Sequence, residues 1–297
     1  MADQLGRPGR LCRNHCPDGC RDVFPGGELV ARLAVLILGF GFLAGCVTGT
    51  PQEGCLGCHP VHYRARGNCV SCHRGNGATS RKNIAHYRFI PAALAGFTLP
   101  GSPQVALGKR LAERYGCRRC HRLAGLGNGL ATNLDQLGRE DPQRLLDAIK
   151  QPATAMPDFC FAGTDAAALV NTIMAAATER RGGANEVPVV VHFTPGKGVR
   201  ENLFVRKCGG CHRALTAREG GLGTGDVAPN LAGLFSRFYP GEFRPAERWN
   251  AERLRRWLDN PRVVRPAARM QPVAVTPAEA VVLAELLQVP PSAGDAP

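Results

Sequence analysis

The sequence has few aromatic residues, few methionines and fewer acidic than basic side chains. Aromatic residues make up 6% of the 297 positions, and only four methionines occur. Because aromatic side chains supply much of the apolar bulk of most cores, we expect another apolar component to fill part of this one. Dense Lys/Arg blocks among stacking aromatics are also missing, which argues against nucleic-acid binding despite a formal charge of +13. The length allows two or three small domains.

Cysteine, in contrast, is abundant, and eight of the 13 cysteines follow one pattern. The pentapeptide Cys-x-x-Cys-His occurs four times, at 55–59, 69–73, 117–121 and 208–212, whereas chance would give on the order of 0.01 copies. Two thiols at this spacing reach the two vinyl groups of a haem, and the following histidine binds its iron. The sequence therefore predicts four haem c groups. They would be attached to Cys55, Cys58, Cys69, Cys72, Cys117, Cys120, Cys208 and Cys211, with His59, His73, His121 and His212 as first axial ligands.

Two other kinds of site also use Cys-x-x-Cys pairs. The pairs Cys55/Cys58 and Cys69/Cys72 could together form a four-thiolate zinc site, and any single pair could be a redox dithiol. Neither kind of site needs a histidine directly after each second cysteine. The pairs within 117–121 and 208–212 have no second pair nearby. Haem attachment is therefore the interpretation that we follow.

A six-coordinate haem iron needs a second axial ligand, which is usually histidine or methionine. The remaining candidates after the leader are His62, His86, His192, Met156, Met174 and Met270. Met174 lies in the apolar helical stretch 166–177 and is expected in a core. Met156 and Met270 each lie in a loop before a predicted C-terminal helix, so we predict that they bind the third and the fourth iron. His192 is expected to be structural, or to bind the fourth iron instead if Met270 does not.

The first two motifs are separated only by residues 60–68, too few for each haem to have its own fold. The two haems must then pack against each other, and this stretch resembles small multihaem cytochromes of the c3/c7 kind. The resemblance implies histidine on both sides of each iron. His62 follows His59 too closely to reach across the first haem, so we predict that His62 binds the second iron and His86 the first.

Residues 102–290 contain two copies of a common order of features. In the first copy, the helical sequence 108–115 leads into Cys117, and then come Asn133-Leu134 and Met156-Pro157. In the second, 198–204 leads into Cys208, and then come Ala228-Pro229-Asn230-Leu231 and Met270. Both copies resemble class I cytochrome c domains. The resemblance implies two helical monohaem domains in which the Pro-Asn-Leu stretch packs beside the first histidine ligand. Thr132 stands where the first copy should have this proline.

The N-terminal part contains one apolar run, at 29–42, which is too short for a comfortable membrane span and has the layout of a secretory signal. The next four residues, Leu-Ala-Gly-Cys46, resemble a bacterial lipobox, which implies a lipidated Cys46. The protein is therefore expected to be exported and lipid-anchored at the periplasmic face of a membrane, or at the outer membrane or cell surface. An uncleaved anchor helix is the alternative. Residues 1–28 are expected to be mis-assigned leader, or else a cytoplasmic metal-binding tail.

The predicted fold is mainly α with much loop. We predict a leader and lipoprotein-type signal peptide at 1–45, a haem-packed dihaem module at 46–92, and two class I cytochrome c helical domains at 93–182 and 196–290. Residues 91–103 and 180–195 are expected to be linkers. Helices are predicted at about 104–116, 142–150, 165–179, 197–208, 251–259 and 277–288, with caps at Asp141, Asn250 and Thr276. Cys160 is expected to be a buried free thiol.

An iron with both axial positions filled exchanges electrons but does not readily bind a substrate. We therefore expect an electron carrier rather than an enzyme. It would be a membrane-tethered lipoprotein that relays electrons in bacterial respiration, between redox partner proteins or toward an extracellular acceptor. The alternatives are a haem enzyme (a peroxidase or oxyanion reductase) with a labile sixth ligand at the C-terminal haem, and an electron-transfer subunit of a larger oxidoreductase. The basic surface would steer an acidic partner, or be no more than a solvated face.

Overall fold

The structure is a computed structural model of the chain, and it describes residues 54–153, 155–179, 202–241 and 247–290. Helices, short 3-10 turns and loops make up nearly all of this part, together with one two-stranded sheet. The expectation of a mainly α chain with much loop is confirmed. The predicted signal peptide, Cys46, the linker 180–195 and His192 lie outside the described residues.

The helices in the described residues are α1 (Cys69–His73), α2 (Lys82–Ala85), α3 (Pro103–Arg114), α4 (Pro142–Lys150), α5 (Gly163–Glu179), α6 (Leu203–Lys207), α7 (Ala251–Asp259), α8 (Pro261–Val264) and α9 (Pro277–Leu286). Six of them fall on the predicted segments, although α6 covers only part of the predicted 197–208, whose first five residues lie outside the described residues. The predicted caps are confirmed, because the side chains of Asp141, Asn250 and Thr276 each accept a hydrogen bond from a first-turn amide. Thr276 and Glu279 form a complete capping box. The short helices α1, α2 and α8 were not predicted.

Residues 54–90, which we call the front region, have almost no core of their own. Only Gly54 and Ile90 are buried within this range, and most other side chains are exposed. Two short helices, α1 and α2, and two 3-10 turns are joined by loops. Segments of fewer than about 40 residues rarely fold without a disulfide, a metal or another staple. The front region therefore lacks the core that it would need to fold on its own.

Residues 91–179, the middle region, begin with a segment that packs on α5. Residues 91–103 were expected to be a linker, yet their first half joins a buried cluster that contains Ile90, Leu94, Ala95, Ala167, Val170 and Met174. The fully buried Asn171 fixes this contact. Its side chain accepts from the amide of Phe97 and donates to the carbonyl of Ala93, both at 2.8 Å. The segment is thus part of the core, as is Met174, whose predicted core position is confirmed.

The main packing contact of the middle region is the crossing of α3 and α5. Gly108 lies at the crossing, and a Cβ there would overlap the carbonyl oxygen of Ala168 and the hydroxyl of Thr172. That hydroxyl donates to the carbonyl of Val105 at 2.8 Å. Only glycine allows so close an approach. The cluster around the crossing also includes the partly buried Cys117, so this core reaches the third motif.

Residues 202–290, the C-terminal region, pack α6, α7 and α9 around the fully buried Phe204. Cys208 and Met270 contact this cluster from its edge. An antiparallel hairpin of β1 (Ala214–Thr216) and β2 (Gly220–Leu222) follows the fourth motif, with Leu215 opposite Gly221. The hairpin was not predicted, because three residues are too few for an alternating pattern to show.

The middle and C-terminal regions meet at a small apolar cluster. Its buried members are Leu130, Leu215 and Ala232, and the partly buried Cys120 packs against them. Thus the third motif contacts both its own region and the C-terminal region. None of the helices in the described ranges is long and apolar enough to span a membrane.

Candidate functional site

Each of the four Cys-x-x-Cys-His motifs forms one turn of helix. The amide of the histidine bonds to the carbonyl of the first cysteine at 2.9 Å in 55–59, 3.0 Å in 117–121 and 2.9 Å in 208–212. The motif at 69–73 is the helix α1, capped by the side chain of Asn68. Residues three and four positions apart share one face of such a turn. Both thiols and the imidazole of each motif therefore lie on the same side of the backbone.

The front region brings its four histidines together in two pairs. The rings of His59 and His86 have centroids 5.9 Å apart, and those of His62 and His73 are 5.8 Å apart. Each pair joins one motif histidine to one histidine outside the motifs. These are the same pairs that the sequence assigns to the first and to the second iron.

The spacing of the rings fits a single metal ion between each pair. An imidazole nitrogen binds a transition metal at about 2 Å, so two rings on opposite sides of one iron have centroids about 6 Å apart. The interplanar angles of 48° and 81° are compatible with this, because each ring can turn about its bond to the metal. The residues present therefore fit a haem with two histidine ligands at each of these positions.

Three motif histidines are oriented by a backbone carbonyl. The Nδ1 of His73 bonds to Ile90 O at 2.8 Å, that of His121 to Thr132 O at 2.8 Å, and that of His212 to Pro229 O at 2.7 Å. A carbonyl can only accept, so Nδ1 carries the hydrogen and Nε2 keeps the lone pair that a metal needs. Burial also lowers the pKa of His121, which favours the same neutral form.

The carbonyl of Thr132 accepts a hydrogen bond from His121, just as the carbonyl of Pro229 accepts one from His212. The substitution of threonine for proline has no effect on this contact, because the acceptor belongs to the backbone. Thr132 and Pro229 thus hold equivalent positions in the middle and C-terminal regions.

Two glycines close the loops behind these histidines. Gly127 and Gly223 both have positive φ, of 127° and 76°, and a Cβ on either would overlap the carbonyl oxygen of His121 or His212. These two glycines were not predicted as site residues. The signal that could have found them is a glycine-rich stretch within a dozen residues of the motif.

Three cysteines of the last two motifs are not suited to thiolate chemistry. Burial raises the pKa of Cys117, Cys120 and Cys208 to about 11 in each case. Reactive dithiols instead have a lowered pKa, so the pair Cys117/Cys120 does not resemble a redox site. In the part of the chain that the structure describes, no three His, Cys, Asp or Glu side chains gather as metal ligands. The four-thiolate zinc arrangement is therefore not formed by the first two pairs.

The two predicted methionine ligands lie in different surroundings. Met156 is half-buried in a loop, and the aromatic rings of Phe159 and Phe161 that follow it pack on Tyr115, two residues before Cys117. Met270 is half-buried beside α7, and its sulfur accepts a hydrogen bond from the indole Nε1 of Trp257 at 3.0 Å. Both assignments as axial ligands stay predictions.

Sequence reasoning missed three further side chains at the sites. Phe89 stacks on His73 with centroids 5.3 Å apart and also contacts His86 at 5.1 Å, so it lies between the two histidine pairs. Trp257 holds Met270, and Arg119 contacts the loop after the fourth motif. The expectation for Cys160 was wrong, because this residue is exposed and disulfide-bonded.

Comparisons of the chain with protein-family models, with curated proteins and with solved structures gave no match.

Proposed function

We propose that this chain is a tetrahaem c-type cytochrome that carries electrons as an exported, membrane-tethered lipoprotein of bacterial respiration. The observation that carries the proposal is the pairing of the front histidines. Four imidazoles at ring distances of 5.9 and 5.8 Å, each pair with one motif histidine, match the second-ligand assignment made from the sequence. Four histidines can be paired in three ways, and the pairing found is the one that the sequence assigns to the two irons.

The near absence of a core in the front region supports the same function. Residues 54–90 bury almost no side chains among themselves, although they carry two haem-attachment motifs. Two covalently held haems would supply the missing apolar interior. The middle and C-terminal regions have cores of their own, and each core reaches one motif through Cys117 or Cys208.

Haem iron supplies a one-electron couple, and its protein ligands set the potential. In this chain His59, His62, His73 and His86 would fill both axial positions of the front pair. His121 with Met156, and His212 with Met270, would fill those of the other two. Filled positions leave no open site for a substrate, which favours electron transfer over catalysis. Methionine ligands raise the potential, so the front pair should be the low-potential end.

The front region is also the most basic part of the described chain. Its cationic side chains are Arg64, Arg66, Arg74, Arg81, Lys82 and Arg88, and residues 54–90 contain no Asp or Glu. A surface of one sign speeds the encounter with a partner of the opposite sign. An acidic redox protein that delivers electrons to the front pair is therefore the partner that fits this region.

The test is to purify the chain from a host that matures c-type cytochromes and to record its haem content with optical and paramagnetic-resonance spectra. We expect four haems per chain, all six-coordinate and low-spin, with two sets of signals from His/His and Met/His ligation. In His62→Ala and His86→Ala, one front haem each should become high-spin. The exposed neighbours Val61→Ala and Tyr87→Ala serve as matched controls and should leave the spectra unchanged.

Fewer than four haems would refute the tetrahaem assignment. Carbon monoxide binding to the reduced, undenatured wild-type protein would instead favour a haem enzyme with a labile ligand. If the His62→Ala and His86→Ala spectra both equal that of the wild type, the two front irons take other ligands.

A further inference from the structure

Arg119 occupies a position of the third motif that haem attachment leaves unspecified. It lies directly before Cys120, yet its guanidinium extends into the C-terminal region. The Nε atom donates to the carbonyl of Ala232 at 3.1 Å, and Nη2 donates to the same carbonyl at 3.0 Å and to the carbonyl of Asn230. The planar fork of arginine suits such converging acceptors, whereas lysine offers a single point of contact.

Aromatic and backbone contacts hold this guanidinium in place. The ring of Tyr239 lies under it, with the guanidinium carbon 4.2 Å from the ring centroid, and the Tyr239 hydroxyl donates to Asn230 O at 3.3 Å. On the other side, the side chain of Asn128 donates to the carbonyl of Arg119 at 2.8 Å. A Cβ at Gly233, where φ is 70°, would come within 2.6 Å of that carbonyl oxygen. The two regions therefore approach each other closely at Arg119.

The acceptors of Arg119 adjoin the orienting contact of the fourth motif. Asn230 directly follows Pro229, whose carbonyl accepts from Nδ1 of His212 at 2.7 Å. Arg119 itself is bonded to Cys120, which packs on the cluster of Leu130, Leu215 and Ala232 between the regions. A short path thus runs from the cysteine of the third motif through the guanidinium to the histidine of the fourth. It contains two hydrogen bonds, and all other links are covalent.

We propose that Arg119 is a positioning residue that joins the third and the fourth haem site into one electron-transfer unit. This inference rests on the proposed function. By docking the middle region on the C-terminal region, Arg119 holds Cys120 of the third motif against the loop that orients His212. The exchange that it supports moves one electron from a reduced iron to an oxidised iron and needs no other reactant. Electrons would then pass between these two sites within one molecule and without a partner protein.

The test compares Arg119→Gln with Arg118→Gln in the full, haem-loaded chain. Arg118 is a matched control because it lies in the same motif and carries the same charge, but its Nε donates to Leu123 O at 3.2 Å within the middle region. Exchange spectroscopy by NMR on partly reduced samples follows the haem methyl signals of the two Met/His sites. We expect Arg119→Gln to slow exchange between them about tenfold, and Arg118→Gln to leave it within about twofold.

Hydrogen exchange at the amide of Ala232, measured in the same variants, reports docking independently of any electron transfer. It should be about tenfold faster in Arg119→Gln alone. Equal electron exchange in Arg119→Gln and the wild type would overturn the inference, even if Ala232 lost protection.

If Arg119→Gln does not load haem, Arg119→Lys takes its place in the test, because lysine keeps the positive charge but lacks the planar fork of arginine. Slowed exchange in Arg119→Lys supports the inference, and unchanged exchange overturns it. A wild-type chain with fewer than four haems would refute the proposed function separately, before any variant is compared.

Discussion

The front region and the middle region differ in what holds them together. In residues 54–90 only Gly54 and Ile90 are buried, and the most notable side-chain contacts are those among histidine and aromatic rings. In the middle region α3 and α5 cross at Gly108 over a cluster of leucine, isoleucine and alanine side chains. One region has paired histidine rings in place of a core, and the other has a conventional apolar core. The same five-residue motif is thus used in two physical settings.

This difference teaches where a bound group would contribute stability and where it would mainly confer function. A region without a core depends on its ligand for folding, because the ligand supplies both the apolar surface and the links between loops. A region with its own core binds the ligand at an edge that is already formed.

Preventing haem attachment should separate the two regions most clearly. In a host without c-type cytochrome maturation, we expect amide protection in residues 54–90 to vanish, while α3 and α5 keep measurable protection. Hydrogen exchange followed by mass spectrometry measures both regions in one sample. The haem-loaded protein is the reference. If protection in 54–90 equals that of the loaded protein, the proposed contrast between the two regions is wrong, because the front region would then have a core that does not depend on haem.

Changing the second ligand should move the potentials of the front sites but not those of the others. His86→Met and His62→Met would each replace one imidazole by a thioether, which is a weaker donor to oxidised iron. The potential of one front haem should therefore rise, on the order of 0.1 V within the range of about 0.8 V that axial ligands span. A spectroscopic redox titration gives the four potentials.

Tyr87→Met is a suitable control, since Tyr87 is exposed and adjacent to His86. A shift of the same size in this control, or no shift in His86→Met, would show that His86 is not a ligand of the first iron.

The crossing of α3 and α5 offers the corresponding test of the middle region. In Gly108→Ala the new Cβ would overlap the backbone of Ala168, so the free energy of unfolding should fall by about 1–3 kcal/mol. This loss would occur although alanine has the higher helix propensity by about 1 kcal/mol. Gly129→Ala is the control, because a Cβ there would meet no atom within 4 Å. Denaturant unfolding of the loaded protein gives both values, and equal stability of the two variants would contradict the close crossing.

The local features of this fold were predictable from sequence, whereas the contacts between regions were not. Residues 142–150 and 251–259 show a helical apolar pattern behind a capping side chain, and the structure has α4 and α7 with the same limits. Such elements are specified by neighbours in the chain. The segment after Ile90 was expected to be a linker because it contains proline and glycine. It packs on α5 through Asn171, a partner some 80 residues away that no local pattern reveals.

The candidate site divides in the same way. The histidines and cysteines were identifiable because their chemistry restricts their spacing. The two ring pairs of the front region were predicted by assigning one histidine outside the motifs to each of the two front irons. Arg119 was not identifiable, since the two variable positions of the motif place no demand on the residue type. Its acceptors are backbone carbonyls at Asn230 and Ala232, which leave no trace in the side-chain sequence. Trp257 was missed for a related reason, because the long loop before Met270 hides which aromatic ring reaches the sulfur.

The smallest expected effect concerns the C-terminal site, where a core and a predicted methionine ligand occur together. In Trp257→Phe the sulfur of Met270 would lose the hydrogen bond from Nε1. That bond withdraws electron density from the sulfur and makes it a poorer donor to oxidised iron. A bond of about 1 kcal/mol corresponds to roughly 40 mV for a one-electron couple. Only the part of that energy that differs between oxidised and reduced iron shifts a potential, so the potential of this haem alone should fall by at most that amount.

Trp249→Phe is the control for this substitution, because it changes the neighbouring indole, 5.6 Å from the ring of Trp257, and leaves the donor to Met270 in place. A redox titration of both variants should show the shift only in Trp257→Phe, with the two front potentials constant.

If the shift occurs in neither variant, while Met270→Leu still leaves the fourth haem low-spin, the sulfur of Met270 is not a ligand. The C-terminal site would then differ from the middle site in its second ligand as well as in its loop. If Met270→Leu makes the fourth haem high-spin, the sulfur is a ligand, and the missing shift shows only that the hydrogen bond does not tune it.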